Sequence, residues 1–152
     1  MNTATLYPVF IQIHHYLSWG VLLFALLAAL RGWTGVIFTK RWNGTDVTLA
    51  TLLTIFADLQ LLTGVILYAA LSPVTRSAFT DFGAAMSNPA IRFFAVEHII
   101  VMVIAVVIIH IARGKARDAQ FKARKHRISA IWYTIALALI LTRVPWDKIF
   151  VA

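Results

Sequence analysis

Two histidines in this sequence stand where they can meet. His14 and His98 each fall inside a long apolar run. At 1.5 Å per residue, each lies roughly 10–13 Å along its predicted helix from a start signal, Pro8 in one case and Pro89 in the other. Each also lies on a stripe of small residues at helical spacing: Ser18, Ala25 and Ala28 follow His14, while Ala95, Ala105 and Ala112 flank His98. Small residues beside an inward imidazole make room for a ligand, and they equally permit close helix packing. Two neutral imidazoles at one depth in a helical bundle are the arrangement that holds a b-type haem through both axial positions without a covalent bond. Arg92 and Arg143 are placed nearer the same surface, where a guanidinium can grip a propionate by two parallel hydrogen bonds. Glu97 is the rival partner for both, and pairing with it would make the cluster a structural lock instead of a cofactor clamp.

Other polar groups fall inside the apolar runs, where they are costly and count as functional candidates. Asp58 and Gln60 interrupt the second run, and His15 adjoins His14. The position of His15 near a helix end predicts that it faces the headgroups. Asp58 is read either as a protonated group bonded to a neighbouring helix or as a proton or quinone site, with no second ionisable group at its depth. His110 is expected to snorkel from its place one turn from a basic loop, and His126, embedded in Lys and Arg, to be solvated. A second haem gains no support, because His98 and His110 are separated by about 120° around their helix.

The elements that must position these groups follow from composition. Of 152 residues, 61% are hydrophobic and 13% charged, against roughly 45–50% and about 25% in a soluble domain. The fold class predicted is an all-α, integral membrane four-helix bundle in one domain over residues 1–152, with spans over about 9–30, 47–71, 93–112 and 128–144. The first three runs meet or approach the roughly 20 residues that cross a hydrocarbon core, and the fourth, the shortest, ends in Arg143, which can snorkel. All four are too continuously apolar for barrel strands. The first run is read as retained, since residues 1–8 carry no cation and the stretch is too long for a signal peptide. Absence of cysteine excludes disulfides, iron–sulfur clusters, thiolate zinc and covalent haem attachment. The net charge of +8 is assigned to loops facing anionic lipid, with no nucleic-acid partner.

Lys and Arg set the orientation. Ten lie in the two loops that follow the first and third spans, and four lie on the other side, which predicts both termini outside. All five Trp lie near span ends, as an aromatic belt requires. The segment 72–92 is expected to hold a short interfacial helix burying Phe79, Phe82 and Met86. Asn88-Pro89 reads as an N-cap with Pro at the first helical position.

Four groups of residues carry a resemblance over nearly the whole chain: His14-His15-Tyr16-Leu17-Ser18-Trp19; Asp58-Leu59-Gln60 with Gly64 and Tyr68; Arg92 to His98; and Arg143-Val144-Pro145-Trp146. Together they resemble a family of small four-span bacterial membrane proteins, frequent in Bacteroidetes and often labelled cytochrome b. In that family a His often precedes Leu-Gln in the second helix, where this chain has Asp58. The resemblance implies His14 and His98 as haem ligands and the bacterial inner membrane as the location.

Three functions are therefore expected to compete. The first is a haem b electron-transfer protein or the membrane subunit of a redox complex, with a quinone among its candidate partners, acting as a redox carrier and not as a stand-alone catalyst. The second is a cofactor-free accessory subunit of a larger membrane complex. The third is a small proton or ion translocator using Asp58, Glu97 and the histidines. No Ser-His-Asp order, HExxH, phosphate-binding glycine loop or EF-hand pattern is present.

Overall fold

The computed structural model describes residues 3–149; the side chains of residues 4, 122 and 149 are left aside. Helix α1 (Thr3–Ile37) is uninterrupted. It runs through Pro8, so that residue is not the start signal its type suggested. α2 (Gly44–Ile66) begins with a capping box: Thr45 N–H donates to Asn43 Oδ1 at 3.0 Å, and Asn43 N–H donates to Asp46 Oδ2 at 2.7 Å. α2 continues into a π-helical turn, Leu67–Leu71.

The connection to the next long helix is itself helical, with a polar cap at each start. Ser72 caps α3 (Pro73–Thr80), Asp81 caps α4 (Phe82–Ser87), and Asn88 caps α5 (Pro89–Arg92) with Pro at its first position. A second π turn, Phe93–Glu97, joins α5 to α6 (His98–Asp118). The last elements are α7 (Lys122–Arg143) and α8 (Trp146–Ile149). No strand occurs among the described residues.

The four long helices form a ring in which α1 packs on α2 and α7, and α6 packs on the same two. Consequently α1 and α6 face each other diagonally across the centre. Their small residues converge there as the alanine stripes require: Ala25, Ala28, Ala105 and Ala112 are buried beside Leu53, Ile109 and Tyr133. Three helices, 5–37, 44–71 and 89–118, are long and apolar enough to cross a membrane, which gives the chain a membrane location. The fourth, α7, opens on a cationic turn and supplies the remaining wall.

The interfacial segment holds two short helices, α3 and α4, with Ala78 and Ala85 buried against Ala95, Met86 partly buried beside them, and Phe79 and Phe82 on the outer surface. Three expectations, for His126, Asp58 and His110, are corrected by packing. His126 is not solvated: it is fully buried, because Gly35 of α1 leaves room for its ring and Trp42 covers it at 5.0 Å between centroids. Trp42 therefore packs on His126. Asp58 does have an ionisable neighbour, since His110 Nε2 lies 2.7 Å from its Oδ1; His110 bonds across to α2 instead of snorkelling.

Candidate cofactor site

The end of α7 shows how sequence builds the site. Pro145 follows Val144, whose backbone is extended, so the helix stops at Arg143 and its last carbonyls lack intrahelical donors. His98 takes one of them, with Nδ1–H donating to the Arg143 carbonyl at 2.8 Å. That bond fixes the tautomer and leaves the Nε2 lone pair without a protein partner among the described residues. A carbonyl on the second imidazole nitrogen is the usual support of a metal-ligating histidine.

The partners of His14 suit the same tautomer by a different route. The Thr63 hydroxyl donates back to the Leu59 and Gln60 carbonyls, each at 3.0 Å, so its oxygen accepts from His14 Nδ1–H at 3.2 Å. His14 Nε2 then accepts from the Gln60 amide at 3.1 Å, while the buried Gln60 Oε1 has no partner. Across the diagonal the two imidazole centroids are 6.4 Å apart, with the rings inclined at 66°.

Both histidines line a cavity of about 290 Å³ in this half of the bundle. Its walls are mostly apolar, with Val21, Ala57, Met102 and Ala105 below and Phe94 and Pro145 above. Ser18, His15, Gln60 and Thr75 add polar edges, and Lys148 stands at the rim. His15 is half-buried on this wall. Gly64 permits the close approach of α2, since a Cβ there would come within 3.0 Å of His14 Cε1. The two π turns meet beside the cavity: Tyr68 O–H donates to the Ala95 carbonyl at 2.8 Å, a carbonyl within one of the irregular turns that recur at functional sites.

Arg92 and Arg143 are engaged elsewhere. Arg92 Nε donates to Glu97 Oε1 at 2.9 Å and its Nη1 to the Met86 carbonyl at 3.0 Å, while Arg143 Nε lies 3.6 Å from Glu97 Oε2. Neither lines the cavity. Glu97, at the end of the second π turn, thus ties the ends of α5 and α7 together, and Arg92 extends the tie to α4, which is the lock geometry.

Sequence reasoning had not singled out Thr63 or Lys148. Thr63 stands three residues after Gln60, on the same helical face, and that spacing could have paired them. Lys148 had no local signal, because only the turn at Val144-Pro145 returns it to the rim, where its Nζ lies 5.1 Å from the Phe94 ring centre. No cluster of three or more His or carboxylates able to hold a metal ion occurs among the described residues, so a metal here would depend on the two imidazoles and a further ligand set. Comparison with known proteins gives no match to this chain, whether by family model, by curated sequence or by solved structure.

Proposed function

We propose that this chain is a membrane electron-transfer protein, or the membrane subunit of a redox complex, that holds one b-type haem between His14 and His98. The observation that carries the reading is the pair of diagonal imidazoles at 6.4 Å, each with its Nδ1 hydrogen-bonded to a neighbouring helix, an arrangement that suits ligation through Nε2. One metal centre with bonds of about 2 Å to each imidazole suits that separation. Haem supplies one-electron chemistry and would bring the remaining ligands itself.

The chain's residues would do the holding. The Arg143 carbonyl and the Thr63 hydroxyl orient the two rings, and the apolar walls exclude water. Gln60 must release His14 Nε2, a modest requirement because its amide is only half satisfied. The cavity volume is at the lower edge of the roughly 300–1,000 Å³ typical of ligand pockets, so a macrocycle also needs α2 and α6 to part. With Arg92 and Arg143 tied to Glu97, Lys148 is the rim cation best placed for a propionate.

The direct test is titration of haemin into the detergent-purified protein. Saturation at one equivalent, lost in His14→Ala and in His98→Ala but kept in His15→Ala, is the expected result; identical weak binding by all four proteins would reject it. A second reading is a cofactor-free subunit locked by Glu97, favoured by its contacts to both arginines, and the absence of any saturable binding would select it. The fourth helix is proposed to span as well, with both termini outside and the location the bacterial inner membrane. A reporter fused after Ala152, which lies outside the described residues, should report from the external side; a cytoplasmic signal would reverse the orientation.

A further inference from the structure

The outward seam between α2 and α6 carries a polar pair in an apolar face. His110 Nε2 and Asp58 Oδ1 are 2.7 Å apart, and the two side chains remain 48% and 50% exposed. Around them the exposed residues are Ile55, Leu62 and Val65 on α2, and Val103, Val107 and Ile111 on α6. Asp58 is about 21 Å along α2 from Gly44, near the middle of the candidate span 44–71. Polar groups left half open at that depth are expensive in hydrocarbon, so this face calls for a cover. One turn nearer the basic end Arg113 is anchored on Thr51 at 3.1 Å, where headgroups and water can solvate it.

The chemistry of the pair says what the cover is. The contact uses His110 Nε2 and Asp58 Oδ1, which leaves His110 Nδ1 to donate its N–H and Asp58 Oδ2 to accept. Neither atom has another hydrogen-bond partner among the described residues. A twofold axis along the membrane normal keeps every atom at its own depth, and all copies insert in one orientation. Under that operation the free donor of one copy meets the free acceptor of the other, twice over, as an isologous interface demands. We propose that a second copy of this chain covers the seam, with Asp58 and His110 forming a closed four-residue hydrogen-bonded ring across a twofold dimer. The proposal does not rest on the haem reading.

The chain has no cysteine, so single substitutions report contacts without background. Leu62→Cys and Val107→Cys, flanking the pair, are compared in native membranes under oxidant with Ile135→Cys on α7, which is exposed but on the other side of the ring. The expected result is a disulfide-linked dimer from the two seam positions, several-fold above Ile135→Cys. Adding Asp58→Leu should remove it, and combining Asp58→His with His110→Asp should restore it. Equal cross-linking at all three positions, an unchanged yield in Asp58→Leu, or a Leu62→Cys adduct to a different protein would each overturn the second-copy assignment.

Discussion

The two ends of the bundle each bury a histidine facing a neighbouring helix, yet they use it oppositely. At the basic end Gly32 and Gly35 bring α1 against α7 so closely that a Cβ on Gly32 would fall 2.5 Å from the Ala130 nitrogen. His126 fills the remaining space, and neither of its ring nitrogens has a hydrogen bond. Beside it Asp46 is buried and satisfied, accepting from Arg31 Nε at 2.8 Å and from its own cap. At the cavity end the glycine is on α2, α1 and α6 stay apart on the diagonal, and both imidazoles are oriented by hydrogen bonds, His98 on Nδ1 alone and His14 on both nitrogens. Where glycine admits a whole backbone the histidine becomes filler. Where small side chains line a gap, it stays available for chemistry.

The largest expected effect is at the closed end. Arg31→Ala strands the Asp46 carboxylate, which is 4% exposed, and should lower stability by about 3–5 kcal/mol. A thermal melt of the purified protein checks it; an unchanged midpoint would mean that Asp46 is solvated and the end is not closed. Gly32→Ala should cost about 1–3 kcal/mol because backbone cannot yield, whereas Gly64→Ala at the cavity end meets only the rotatable ring of His14. Gly64→Ala should therefore melt near wild type while weakening haemin binding, and a melt as low as that of Gly32→Ala would erase the contrast.

His126→Met removes two buried nitrogens that make no hydrogen bond, gives up only the 3.8 Å contact of Nδ1 with Asp46 Oδ1, and substitutes apolar volume, so its stability should stay within about 1 kcal/mol of wild type or rise. The smallest effects belong to the arginines. With Arg92 paired to Glu97, Arg92→Gln should leave haemin stoichiometry unchanged, and a loss of binding there would restore Arg92 as a clamp on the cofactor.

Much of the architecture was legible because a membrane writes its constraint as length and apolarity. The runs around His14, Gln60 and His98 are helices, and Asn88-Pro89 does open the third. The His14–His98 approach was readable too, since alanine spacing records which face is inward. Other placements depended on tertiary detail. His126 looked solvated among cations, and only Gly35, nearly a hundred residues earlier, gives it a buried seat. Asp58 and His110 meet because α2 and α6 are neighbours in the ring, a fact that no local pattern states. The role of Arg143 was seen in its guanidinium, whereas the group that reaches His98 is its carbonyl, freed by Pro145.

The central claim is that His14 and His98 share one iron. The most direct measurement is the reduced-minus-oxidised optical spectrum of membranes containing the wild-type chain, recorded beside His98→Ala membranes expressed to the same level with haem supplied. The account predicts sharp six-coordinate haem bands in the wild type and their loss in His98→Ala. Flat wild-type spectra, or bands of equal height in both samples, would contradict it.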